Sequence, residues 1–279
     1  MPMCWPDGPP FRPGPDRGHG QIPPALLGLR MTGSRPGRIW GLVAAQADDR
    51  GGRVSAADAC AAAVAAVEVT GAWLSTTSGT EAGHVIRVTN AVSEQLAELQ
   101  LTLGEGPSLD AAGSGGPVLA SDLGARETAG RWTAFAPAAC QAGAGAVFAF
   151  PLRIGGIRAG VMGLYRDSPG RLNDYQLGDA LIFADTAALL LIDASGQSAG
   201  AAGTSPAGQP ADLALHRAEI DQATGMLTEQ LGVGITEAFV RLRAYAYAHA
   251  RRLGELARDI VSRRVRLRPD PGLSPDSPV

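Results

Sequence analysis

The chain has 279 residues, with 24 basic against 27 acidic side chains and a net charge of −3. That length suggests about two domains of a globular protein, and the near-neutral balance argues against coating nucleic acid or an anionic membrane over the whole surface. All 24 basic residues are Arg, which removes mechanisms built on a lysine: a Walker A phosphate loop, a pyridoxal Schiff base and a kinase-type ATP site.

Nine of the 20 prolines fall within the first 36 residues. Such a segment buries too little apolar surface to offset its chain entropy, so residues 1–36 are expected to be disordered. Met31 is a candidate start, and no long apolar run marks a secretory signal. From Arg38 onward Ile39, Leu42 and Val43 recur at helical spacing, and Ser55 is placed to cap a helix from Ala56 to about Val69. Strand-like runs follow at Thr70–Thr76 and His84–Thr89, then a helix through Val92–Leu101. The Gly-rich stretch Gly104–Pro117 reads as a loop.

Between Arg131 and Arg153 the chain is uncharged, but Pro137, Gly143, Gly145 and Pro151 interrupt it. A short helix, a turn and a buried strand fit that stretch better than a membrane span. Strands Ala146–Ile154 and Arg158–Tyr165 flank Gly155-Gly156, a hairpin signal. A helix over Asp174–Ile192 then carries Leu177, Leu181, Ala184, Ala188 and Leu191 on one face. This order predicts an α+β domain over residues 37–195, an antiparallel sheet with helices packed on one face.

Residues 196–211 contain Gly, Ala, Ser and Pro with no large apolar side chain, the composition of a flexible linker spanning roughly 20–25 Å. Residues 212–268 are expected to form a small all-α bundle of three helices. Leu213, Ile220, Ala223, Leu227 and Leu231 line the first, Ala238, Phe239, Leu242 and Ala246 the second, and Leu253, Leu256, Ala257 and Ile260 the third. Residues 269–279 read as a disordered tail.

Charge is segregated. Leu213–Arg268 holds 10 Arg against 6 acidic residues, a local +4 in a chain of −3. Arg241, Tyr245, His249 and Arg252 succeed one another at helical spacing, and Arg241 and Arg243 flank Leu242. Guanidinium groups suit phosphates and unpaired bases, and tyrosine stacks on a base. The same pattern also fits a solvated helical surface, with Arg263, Arg264, Arg266 and Arg268 complementing a helix C-terminus.

Nothing in the sequence points to catalysis or a cofactor. Cys4, Cys60 and Cys140 form no Cys-x-x-Cys pair, and the four histidines lack metal-ligand spacing. Ser108 sits in no nucleophile elbow, and Glu105 with Asp110 carries no mark of a working carboxylate pair. A non-enzymatic protein without a metal is expected.

Both halves resemble known modules. LQLTLGEGPSLDAAGSGGPVLASDL (Leu99–Leu123), RWTAFAPAA (Arg131–Ala139) and AFPLRIGGIRAGVMGLYRDSPG (Ala149–Gly170) resemble a GAF sensor domain of the actinobacterial kind. Ile220, Ala223, Gly225, Leu227, Ala238, Phe239, Leu242, Arg243, Ala246, Leu253 and Ala257 resemble an ANTAR domain, the RNA-binding module of transcription antiterminators. The resemblance implies a cytoplasmic, signal-responsive RNA-binding regulator, homodimeric and not membrane-bound, that engages paired hairpins in leader transcripts. Taken together with the basic helical edge, it makes Ala223, Gly225, Arg241, Arg243, Tyr245, His249 and Arg252 the candidate RNA contacts. It also implies an unidentified small molecule above the sheet, with Trp73, Glu105, Asp110 and Trp132 as the candidate lining. Three positions depart from the pattern: Thr224 and Thr228 stand where many ANTAR sequences have Lys and Met, and Ser108 where the GAF loop often has Cys. The competing readings are a DNA-binding helix-turn-helix regulator and an interaction module whose bundle only dimerises.

Overall fold

The computed structural model describes residues 34–78, 81–198, 211–249 and 251–267. The expected disorder of both tails and the expected flexibility of the linker therefore lie outside the described residues, apart from their edges. At the first edge, helix α1 (Arg35–Arg50) already begins inside the predicted tail. Ser34 Oγ accepts from the Gly37 amide at 3.3 Å, and Pro36 falls in the first turn, where no amide is needed.

Helix α2 (Ala56–Val67) starts at a reciprocal cap: Asp58 Oδ2 accepts from the Ser55 amide at 2.8 Å and from its hydroxyl at 2.8 Å. The strands and remaining helices of the first domain are β1 (Gly71–Ser78), β2 (Glu81–Val88), α3 (Ala91–Leu103), α4 (Pro107–Ser114), β3 (Val118–Ala120), α5 (Arg126–Arg131), α6 (Phe135–Gln141), β4 (Ala146–Ile154), β5 (Ile157–Arg166) and α7 (Asp174–Ser198). The sheet order is β2-β1-β5-β4-β3, antiparallel at every pairing. This is the α+β antiparallel architecture that the sequence predicts.

Helices cover both faces of that sheet, not one. On the first face Ala72, Leu74, Phe148, Phe150, Leu152, Met162 and Leu164 pack against α1, α2 and α7 through Ile39, Val43, Ala59, Ala63, Phe183 and Ala187. The alternate residues Trp73, Val147 and Tyr165 point the other way, against Leu96 and Ala97 of α3 and Phe135, Ala136 and Ala139 of α6. Trp73 lies directly over Gly163, where a Cβ would meet the indole ring. Two apolar faces on one sheet require two covering layers.

The Gly-rich stretch expected as a loop contains α4. Gly106 at φ 135 turns the chain, Pro107 opens the helix, and Gly115 at φ 71 ends it. Between them Ala111 and Ala112 pack on Ala149 and Val161. Helix α7 runs to Ser198, three residues into the expected linker. Cys60 is fully buried in the first core, and burial pushes its thiol up to about 12.

The C-terminal bundle comprises α8 (Ala211–Leu231), α9 (Ile235–Ala248) and α10 (Leu253–Val261). Ile220, Ala223 and Leu227, then Ala238, Leu242 and Ala246, then Leu253, Leu256, Ala257 and Ile260 form its core. Leu101 of α3 joins the same cluster, so the bundle rests against the sheet domain. Among the described residues, no helix is long and apolar enough to cross a membrane.

Candidate nucleic-acid interface and its seat on the sheet domain

Helix α9 turns Ala238, Leu242 and Ala246 inward, which sends the intervening arginines outward on two different edges. On one edge Arg241 donates from Nε at 3.1 Å and from Nη2 at 2.6 Å to Glu237 Oε1. Further along, the Tyr245 and His249 rings stack, with centroids 3.9 Å apart and planes at 17°. His249 Nδ1 lies 2.9 Å from the Tyr245 carbonyl. This edge keeps the order Arg241, Tyr245, His249 that the spacing predicts.

Arg252, expected on the same row, leaves it and joins Arg243 on another side. Arg243 donates from Nε to the Thr102 carbonyl at 3.1 Å. Its guanidinium crosses Gly104, where any Cβ would collide with it, and sits 5.7 Å from the Phe239 ring centroid. Arg252, at the N-cap of α10, donates from Nε to Glu98 Oε2 at 2.6 Å, with Nη2 3.5 Å from Glu94 Oε1. Burial lowers the guanidinium's proton affinity, and Glu98, Glu94 and Glu255 together more than reverse that. Both arginines therefore face α3 of the sheet domain.

Ala223 is fully buried in the bundle core, its methyl turned toward the other helices. Gly225 faces open space, with nothing within 4 Å of a Cβ placed there. Thr224, between them, is buried and donates its hydroxyl to the Ile220 carbonyl at 2.7 Å. Elsewhere on the bundle Arg258 pairs with Glu219 at 3.0 Å, and Arg251 and Arg264 pair with Asp259 at 2.6 and 3.2 Å. The hydrogen bond from Arg251, with help from Arg264, holds the Asp259 carboxyl below its ordinary range.

The four candidate pocket residues gather on the second face of the sheet. Trp73 and Trp132 are core side chains. Asp110 Oδ2 accepts from Trp132 Nε1 at 3.1 Å and from Arg131 Nε at 2.9 Å. Glu105 Oε1 accepts the Ala134 and Phe135 amides, each at 2.7 Å, and so anchors the start of α6. In this arrangement both carboxylates tie the α4 region to α5 and α6. The Ser75 and Ser108 hydroxyls, on β1 and α4, are buried without a hydrogen-bond partner. Among the described residues, no group of three or more His, Cys, Asp or Glu is placed to hold a metal ion.

Sequence reasoning missed Glu94, Glu98 and Thr102, and the contact between His84 Nε2 and Asp221 Oδ1 at 3.0 Å that joins β2 to α8. The signal was present as an i, i+4, i+8 row on α3. Such a row reads as a solvated face until its partners, Arg243 and Arg252 far along the chain, are known.

Residues 214–261 match the ANTAR domain family. The C-terminal bundle is an ANTAR domain. No curated protein matches the chain significantly. Solved structures similar to the chain include the GAF domain from an Acinetobacter phosphoenolpyruvate-protein phosphotransferase, at 10% identity over 58% of this chain and 98% of that chain, TM-score 0.43. They also include the second GAF domain of DevS from Mycobacterium smegmatis, at 21% identity over 52% and 96%, TM-score 0.39. A third is the GAF domain from a Coxiella burnetii phosphoenolpyruvate-protein phosphotransferase, at 12% identity over 58% and 96%, TM-score 0.42. The ANTAR match ends at Val261, so Arg263, Arg264 and Arg266 lie beyond it.

Proposed function

We propose that this chain is a cytoplasmic, non-enzymatic, signal-responsive regulator: a GAF-type sensor joined to an ANTAR domain that binds hairpin RNA and opposes transcription termination. The observation that carries this reading is the ANTAR match at residues 214–261, over a bundle whose outward surface is rich in Arg. Arg241, Tyr245 and His249 line one edge and Arg243 and Arg252 another, a mixture of phosphate-binding and base-stacking groups. The sensor's ligand is a small polar molecule held on the α4 side of the sheet. The unpartnered Ser75 and Ser108 hydroxyls support that assignment, since a buried polar group without a partner is costly. The active form is a homodimer, one bundle to each hairpin of a pair.

A second reading has one observation in its favour. Thr224 supplies no charge where the family often has Lys, and its side chain is buried, which suits a bundle that only mediates assembly. Titrating the full chain with an RNA carrying two short hairpins, and with DNA of the same sequence, separates the two. RNA-selective binding that weakens with salt, and weakens at least tenfold further in Arg243→Ala/Arg252→Ala, supports the regulator. Equal or absent binding to both polymers leaves the assembly role.

A further inference from the structure

We propose that helix α3 of the sheet domain occupies the RNA-backbone site of the ANTAR domain, so that RNA and the sensor compete for the same two arginines; this rests on the RNA-binding reading above. The row Glu94, Glu98 and the Thr102 carbonyl lies along one side of α3, each step one helical turn, about 6 Å, from the last. Two positions are carboxylates, and the third is a carbonyl in the last turn, at the negative end of the helix dipole. A nucleic-acid strand likewise presents a row of negative oxygens.

The row meets its complement. Arg252 directs Nε at Glu98 and Nη2 at Glu94, while Arg243 gives Nε to Thr102. A guanidinium whose donors are directed at carboxylates cannot offer the same edge to a phosphate. Leu101, one residue before Thr102, joins the bundle core. At the other end His84 Nε2 of β2 lies 3.0 Å from Asp221 Oδ1 of α8, a second polar contact between the bundle and the sheet domain.

Two features make this contact a cover that can be lifted. Arg252 and both of its glutamates remain partly exposed, and ion pairs of that kind hold weakly and are screened by salt. The opposite side of α3 carries Leu96 and Ala97, which pack in the core that holds Trp73, Trp132 and Phe135. A ligand that repacks that core moves α3 directly, and with it the surface against which the arginines rest. If only a fraction of molecules is uncovered, the apparent RNA affinity falls by that fraction.

The test uses the full chain and an RNA carrying two short hairpins, with wild type, Glu94→Gln/Glu98→Gln, and the same double variant with Arg252→Ala added. The glutamates lie outside the apolar cores, and a thermal melt confirms that each variant is folded. The expected result is about tenfold tighter RNA binding by the double variant, lost again when Arg252 is replaced. The gap between wild type and double variant closes as salt rises, because salt lifts the cover in wild type. Equal binding by wild type and the double variant at low salt overturns the competition and leaves RNA binding intact. Failure of both to bind RNA overturns the RNA-binding reading and the competition with it.

Discussion

The sheet domain and the ANTAR bundle solve the problem of a core in opposite ways. The first closes two apolar faces with Trp73, Phe135, Phe148, Phe150 and Phe183, all fully buried. The second has three helices whose described core side chains are Ala, Leu and Ile, together with Leu101 from α3. A domain this small gains only a few kcal/mol from its own core. The module carrying the candidate function is therefore the less self-sufficient one, and its position and stability depend on the neighbour it touches. A weak element resting on a firm one is an arrangement that a ligand can shift.

Substitutions in the two cores break this comparison most severely. Trp73→Ala removes the largest side chain of the second sheet face and is expected to cost about 3–5 kcal/mol, lowering the main thermal transition. Leu242→Ala is expected to cost about 2–5 kcal/mol, enough to unfold the bundle alone. Calorimetry should then show the sheet-domain transition persisting, while helical circular dichroism is lost earlier. A single transition, lowered as a whole, would mean that the two parts fold as one unit.

Smaller changes sharpen the contrast. Asp58→Ala removes the reciprocal cap of α2 and the ion pair to Arg50 at 2.8 Å, with an expected loss of about 1–3 kcal/mol from the sheet domain. Burial alone would raise the Asp58 carboxyl; the bonds from Arg50 and Ser55 outweigh it and hold the group below its ordinary value. The unfolded chain thus takes up this proton at higher pH than the folded one. The stabilisation is complete above the ordinary carboxylate range and disappears as pH falls through the depressed folded value. Wild type and variant should converge in stability in acid, as followed by melting at successive pH values. Arg241→Ala, which removes an exposed i, i+4 pair with Glu237, should change bundle stability by no more than about 0.5 kcal/mol.

The sequence made some of this legible and withheld the rest for physical reasons. Strand β4 matches its predicted bounds, Ala146–Ile154, because a largely apolar, mostly buried run ending at a Gly-Gly turn defines a hairpin strand locally. The three bundle helices follow from apolar spacing in the same way. Helix α4 did not, because its glycines suggest a loop, and only the packing of Ala111 and Ala112 on Ala149 and Val161 shows why a helix forms there. The continuous apolar runs of β4 and β5 mark strands buried on both faces. The helices that cover the second face, α3, α4 and α6, are short and separated in sequence, so the layer they form was not legible. At the candidate site, the spacing of Arg241, Tyr245 and His249 foretold their shared edge. It could not foretell that Arg243 and Arg252 turn to α3, since that depends on residues about 150 positions away.

The competition between α3 and RNA can be observed most directly by hydrogen–deuterium exchange of the full chain with and without a saturating two-hairpin RNA. Competition predicts opposite changes: faster exchange along Ala91–Leu103 as the bundle leaves it, and slower exchange around Arg252 as RNA takes its place. Slower exchange at both places together would show RNA bound with the two domains still in contact, and would contradict it.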